Sequence, residues 1–169
     1  MDAQLSAAGD RWQLRFVRHL THPRDKVWRA LTEPEHLAAW FPDEVQGDMA
    51  PGAPLRFHMA DHPEYDFDGE VLVFEPPSRL ELRWGDDHLR FELAAQGDGC
   101  VLTFVDTFDE VGKAARDGAG WHVCLDQLER ALAGTAPDAD QRARWSEVHA
   151  RYVTALGPEA ATIGPPEGF

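Results

Sequence analysis

The sequence has little of what several protein classes need. It has only two cysteines, Cys100 and Cys124, too few for the disulfide framework of a small secreted protein. No run approaches the roughly 20 apolar residues of a membrane-spanning helix, and the first residues, MDAQLSAAGDRW, lack the basic and apolar blocks of a signal peptide. We therefore expect a cytoplasmic protein with two free thiols and no membrane partner.

Positive charge is also scarce. The chain has 16 Lys and Arg against 30 Asp and Glu, a net charge of −14. The excess lies between residues 43 and 110, where 17 acidic residues accompany four arginines. Such a surface repels the phosphates of nucleic acids and of anionic lipids. Neither is an expected partner.

The common motifs of catalytic and metal sites are absent from the sequence. It contains no GxSxG, no HExxH, no CxxC and no glycine-rich phosphate loop. His122 and Cys124 are two apart on a predicted helix and diverge by roughly 200°. Cys124 falls on an apolar stripe, where an inert buried thiol is expected. The sequence predicts no metal site and no cofactor, and it favours a binding protein over an enzyme without deciding between them.

The composition is that of one folded domain, with 43% hydrophobic and 10% aromatic residues in 169. Apolar and basic residues roughly alternate over 11–20, which predicts a half-buried strand. Pro23 and Pro34 can each open a short helix, since the fixed φ of proline suits a first turn. Residues 1–10 show no such pattern and are predicted to be a flexible leader.

Further alternating runs follow in the middle of the chain, separated by short turn signals such as GDD and GDG. This arrangement is typical of an antiparallel meander with one face in water. With the first strand, it predicts a sheet of about six or seven strands. The runs lie at 55–59, 67–74, 80–84, 89–93 and 101–108.

The hydrophobic period then changes to that of helices. A long helix is predicted to end near Leu132, and a second runs from about 138 to 156. The second helix could pack on its own domain or on another subunit. A long helix laid across a curved sheet can leave a cavity between them.

Four segments resemble a known family. They are FVRHLTHPRDKVWRALTEPEHLAAWF at 16–41, DGEVLVFEPPSRLELRW at 68–84, GCVLTFVDTF at 99–108 and GWHVCLDQLERAL at 120–132. In this order they are similar to the Activator of Hsp90 ATPase homologue 1-like family. That family belongs to the START-like, or Bet v 1-like, helix-grip superfamily.

The resemblance implies an α+β helix-grip fold, in which a curved antiparallel sheet wraps a long C-terminal helix and two short helices follow the first strand. The domain would span 11–133, followed by a helical extension at 134–157 and a tail at 158–169. The superfamily includes lipid carriers, hormone receptors, polyketide cyclases and aromatases. In eukaryotic Hsp90 activators, partner binding depends largely on a separate N-terminal domain.

Aromatic residues on the predicted inner faces are the candidate ligand-binding residues, because a cavity lined by such rings suits a flat apolar or aromatic ligand. They are Trp40, Phe57, Trp84, Phe91, Phe104 and Trp121. Most of them could equally be ordinary core residues.

Asp106 is the candidate acid or base. It is in register with Leu102, Phe104 and Phe108, so it enters the cavity if that face points inward and faces water if it does not. His122 could lie at the cavity mouth, although a position facing solvent is expected for it.

Three functions remain open from the sequence. The first is binding of a small hydrophobic molecule by a monomer or weak homodimer. The second is a cyclase- or aromatase-like enzyme that uses Asp106. The third is a protein-interaction module related to chaperone regulation, acting through the acidic face of the sheet.

Overall fold

The computed structural model describes residues 2–59 and 62–165. It contains one antiparallel sheet, two short helices near the start and two longer helices near the end, which confirms the predicted α+β helix-grip fold. The strands are β1 (Gln4–Ala8), β2 (Arg11–Leu20), β3 (Glu44–Gln46), β4 (Pro54–His58), β5 (Phe67–Glu75), β6 (Arg79–Trp84), β7 (Asp87–Gln96) and β8 (Gly99–Phe108). The helices are α1 (Arg24–Thr32), α2 (Pro34–Leu37), α3 (Ala114–Leu132) and α4 (Gln141–Leu156).

The strands pair in the order β1-β2-β8-β7-β6-β5-β4-β3. The sheet therefore has eight strands, where the sequence predicted six or seven, and the additional ones are the two edge strands β1 and β3. Residues 4–8 of the predicted leader form β1, which pairs with β2 from Gln4↔Arg15 to Ala8↔Arg11. Gly9, at φ 68°, lies in the two-residue turn between them, a conformation that glycine adopts without strain.

One face of the sheet is buried against α3. Alternate residues of a strand share a face, and Leu102, Phe104, Asp106 and Phe108 are each 0% exposed. Asp106 pairs with Leu14 on one side. This register settles the alternative that the sequence left open, because the Asp106 side chain points into the core.

Helix α4 packs against α3 within the same chain. Its apolar stripe is buried at Trp145, Val148 and Tyr152, so the stripe is covered by its own domain, one of the two predicted alternatives. The two helices approach closely at Gly118, where a Cβ atom would lie 3.1 Å from the Tyr152 ring. The Tyr152 hydroxyl also accepts a hydrogen bond from the Ala3 backbone N–H at 2.7 Å, which ties the first strand to the last helix.

In the part of the chain that the structure describes, no helix combines the length and the apolar character needed to cross a membrane.

Candidate ligand-binding cavity

A cavity of about 450 Å³ lies where the end of the sheet meets α3 and the beginning of α4. Most of its wall is apolar, and its polar side chains come from the first turns of the two helices. The lining residues are Pro42, Met59, Trp84, Arg116, Asp117, Gly120, Trp121, Val123, Cys124, Gln141, Arg142, Trp145 and Pro165.

Three indole rings contribute to the apolar wall of the cavity. Trp84 is the last residue of β6, Trp121 lies on α3 and Trp145 on α4. The centroids of Trp84 and Trp121 are 5.2 Å apart, and the Trp145 ring stacks on His149 at 4.5 Å. The three main elements around the cavity thus each supply one indole.

A buried carboxylate holds the Trp84 ring. The Trp84 indole Nε1–H donates to Asp43 Oδ2 at 2.8 Å. Asp43 is 6% exposed, and burial raises the pKa of its carboxyl while the Trp84 hydrogen bond acts to lower it. The indole N–H is therefore satisfied on the side away from the cavity.

Trp121 is held in the same way by Asp106. Its Nε1–H donates to Asp106 Oδ2 at 3.0 Å. Burial raises the pKa of Asp106 well above its ordinary value, and the nearby carboxylates of Asp87 and Asp117 raise it further. Asp106 itself is not among the cavity-lining residues, although its hydrogen-bond partner Trp121 is.

Three acidic side chains gather near Trp121, and one of them, Asp117, also lines the cavity. Asp87, Asp106 and Asp117 each offer an oxygen within 4.8 Å of the others. The Lys113 ammonium contacts Asp87 Oδ2 at 2.8 Å and Asp117 Oδ2 at 3.7 Å. These oxygens could ligate a divalent cation, but Lys113 already supplies positive charge there and a metal ion would have to displace it. No spacing in the sequence indicated this cluster, because its members come from β8, the start of β7 and the start of α3.

The other end of the cavity is polar. Arg116 Nε donates to Asp117 Oδ1 at 2.7 Å, and Gln141 and Arg142 from the first turn of α4 complete this end. No pattern in the sequence predicts that these residues line one cavity, because their meeting depends on how α4 packs on α3.

The structure brings two of the six predicted ligand-binding residues to the cavity, Trp84 and Trp121. The other four are buried in an aromatic cluster behind it. Three of these side chains contact one another or Trp121, with centroid distances of 6.1 Å for Trp40–Phe91, 4.5 Å for Phe91–Phe104 and 4.8 Å for Phe104–Trp121. Phe57 stacks on Phe41 at 6.0 Å. A ligand-binding role for the six remains a prediction.

His122 is 3% exposed, so the expectation that it faces solvent is wrong. Its ring lies between α3 and α4, where Nδ1 is 3.3 Å from the Tyr152 hydroxyl. Burial is the largest cause that lowers the pKa of His122 to about 4.

Cys124 is half-buried and lines the cavity. Burial raises the pKa of its thiol to about 12, which favours the unreactive protonated form.

Several solved structures have a similar fold. Protein EF2215 from Enterococcus faecalis, described as a conserved protein of unknown function, aligns with a TM-score of 0.77 at 19% identity, over 91% of this chain and 90% of that one. CalU16 from Micromonospora echinospora aligns with a TM-score of 0.71 at 22% identity, over 91% and 95%. DynU16, a protein of the dynemicin biosynthetic locus, aligns with a TM-score of 0.67 at 28% identity, over 74% of this chain and 48% of that one.

Comparison with curated protein sequences finds no significant match. Residues 21–133, about two thirds of the chain, match the family described as Activator of Hsp90 ATPase homolog 1-like protein. This match confirms the resemblance carried by the four sequence segments. The chain therefore belongs to the Activator of Hsp90 ATPase homolog 1-like family, within the helix-grip superfamily.

Proposed function

We propose that this protein binds a small apolar or aromatic molecule in the indole-lined cavity. The observation that carries the proposal is the cavity itself, whose volume of about 450 Å³ falls within the roughly 300–1,000 Å³ of small-molecule sites. Its wall is mostly apolar with a few polar groups at one end, which is the usual composition of such sites.

The rigidity of the cavity wall also supports binding. Trp84 and Trp121 each donate their indole N–H to a buried carboxyl group, at 2.8 Å and 3.0 Å. Rings fixed in this way lose little side-chain entropy when a ligand arrives, and preorganisation of this kind increases affinity.

The similarity to DynU16 supports a role connected with a small organic molecule. That protein is described as belonging to a biosynthetic locus, and it shares 28% of its aligned residues with this chain. The similarity supports the class of ligand and leaves its identity open.

A cyclase- or aromatase-like enzyme is the second candidate. The supporting observation is Asp106, because burial and two neighbouring carboxylates raise its pKa and so favour its protonated form as a potential acid. Asp106 does not line the cavity, so a molecule bound there does not meet its carboxyl group directly. Asp117 is the carboxyl group that lines the cavity. The binding function therefore fits the structure better.

Filling the cavity should weaken binding without destabilising the fold. Gly120 lies inside α3 and lines the cavity, and a Cβ atom there would have only Trp145 Nε1 nearby, at 4.0 Å. We expect Gly120→Leu to place its side chain in the cavity and to weaken binding at least about tenfold, or ~1.4 kcal/mol. The readout is the fluorescence of N-phenyl-1-naphthylamine, an apolar dye, titrated with each protein.

Stability provides the control for Gly120→Leu. Replacing a glycine inside a helix should raise the free energy of unfolding by roughly 0.5–1 kcal/mol, so a loss of binding cannot be attributed to unfolding. Ala131→Leu adds a similar side chain to an exposed position at the end of the same helix and should leave dye binding unchanged. If Gly120→Leu binds the dye as tightly as the wild type, the cavity is not the binding site.

A further inference from the structure

We propose that the ligand carries an anionic group, such as a carboxylate, which the terminal nitrogens of Arg116 bind at the polar end of the cavity. This inference rests on the proposed function and adds the chemical class of the ligand. It depends on three observations: the pairing of Arg116, the balance of charge in the cavity wall and the position of the first turn of α4.

The first observation is that Arg116 is held in place with its outer end open. Its Nε donates to Asp117 Oδ1 at 2.7 Å, and the side chain is 28% exposed. Within residues 2–59 and 62–165, neither terminal nitrogen of Arg116 hydrogen bonds to a protein group. A guanidinium fixed through Nε still presents its two terminal nitrogens, and these are the groups that form paired hydrogen bonds with a carboxylate.

The second observation concerns charge. The chain as a whole carries −14, yet the charged lining residues in the described part of the chain are Arg116, Arg142 and Asp117, a net charge of +1. The Asp117 carboxylate is already engaged by Arg116 and by Lys113, the latter at 3.7 Å. These lining residues thus carry more positive than negative charge, in contrast to the acidic chain as a whole.

The third observation is the orientation of α4. Gln141 and Arg142 are the first two residues of this 16-residue helix, and both line the cavity. The N-terminus of a helix carries a partial positive charge. The Asp140 side chain caps the helix by accepting from the Ala143 N–H at 2.9 Å, which leaves other N–H groups of the first turn without an intrahelical partner. The first turn of α4 therefore adds N–H donors to the wall of the cavity that Arg116 also lines.

The indole rings suggest a competing class of ligand. Three tryptophans around a cavity could bind a cation through the faces of their rings. Arg116, whose terminal nitrogens are open, opposes a cation by direct repulsion and so favours the anion. The indoles would then contact the flat apolar body of the ligand while Arg116 binds its acidic end.

The experiment uses three probes that share a naphthalene body and differ in charge: 2-naphthoate, its neutral amide and 2-naphthylmethylammonium. Binding to the full-length protein is measured by isothermal titration calorimetry at neutral pH. A hydrogen-bonded ion pair should make 2-naphthoate bind roughly tenfold to hundredfold more tightly than the amide. Arg116→Gln should remove this preference while amide binding stays the same, which also shows that the variant is folded.

The matched control is Arg130→Gln, which makes the same change of charge about 21 Å further along α3 on an exposed side chain. It should keep the preference for 2-naphthoate. If the acid and the amide bind equally, if the ammonium binds most tightly, or if Arg116→Gln keeps the preference, the inference is overturned and the proposed function stands. If none of the three probes binds, the proposed function fails and the inference fails with it.

Discussion

Replacing Phe104 with alanine should lower the free energy of unfolding by about 3–5 kcal/mol, the range for removing a fully buried phenylalanine ring. Phe104 is 0% exposed and lies at the centre of the aromatic cluster. Its ring is 4.5 Å from Phe91, 4.8 Å from Trp121 and 5.6 Å from Phe16 between centroids. A loss of this size is a large part of the roughly 5–15 kcal/mol that stabilises a typical domain.

Urea unfolding monitored by circular dichroism measures this effect. The control is Tyr65→Ala, which removes an aromatic ring that is 59% exposed and should change stability by no more than about 0.5 kcal/mol. Ligand binding should also weaken in Phe104→Ala, because the Trp121 ring loses the surface on which it packs. A loss below about 1 kcal/mol would mean that the cluster collapses around the missing ring.

Replacing Asp106 with asparagine should make stability much less dependent on pH. Burial and the neighbouring carboxylates of Asp87 and Asp117 raise the pKa of Asp106 well above its ordinary value. In the unfolded chain an aspartate releases its proton near pH 3.9, whereas the native protein retains this proton to higher pH. At Asp106 the native state therefore binds more protons than the unfolded state above about pH 4.

The direction in which the unfolding free energy changes with pH follows from this difference in proton binding. The stabilisation due to the Asp106 proton is complete below about pH 4 and falls as the pH rises towards the native pKa, by about 1.4 kcal/mol per pH unit. Asparagine has the same shape and no such proton. The difference in unfolding free energy, wild type minus Asp106→Asn, should decrease with that slope.

Urea denaturation of both proteins from pH 4 to pH 8 measures the difference directly. Other buried groups titrate in this range, but they are common to the two proteins and cancel. Asp98→Asn, in an exposed turn, should give a curve parallel to that of the wild type. Parallel curves for Asp106→Asn would show that Asp106 ionises at its ordinary pKa.

The sheet could be predicted because its signal is local. The alternation around Phe91 and Phe104 sets which side chains point inward, and the register of β8 places Asp106 on the same face. Strand β1 was missed because Gln4–Ala8 contains mostly small or polar residues and is a strand by virtue of its pairing with β2. The turn signal at Gly9 and Asp10, between two potential strands, could have identified it.

The cavity could be predicted only in part, since its wall depends on contacts between distant segments. Trp84 and Trp121 were identified from their positions on predicted elements. Trp145 lies on a helix that the sequence predicts, but nothing local indicates that α4 brings it to the same cavity as Trp84. The cluster of Asp87, Asp106 and Asp117 likewise forms only when β7, β8 and α3 come together.

The wall of the cavity includes residues that lie after the end of the family match, at residue 133. They are Gln141, Arg142, Trp145 and Pro165. Helix α4 takes no part in the strand pairing of the sheet. Substitutions on the cavity side of α4 can therefore alter the binding wall while every strand pairing stays intact. In evolutionary terms, the shape of this cavity can change through the exposed first turn of α4 while the sheet and the buried stripe of α4 stay as they are.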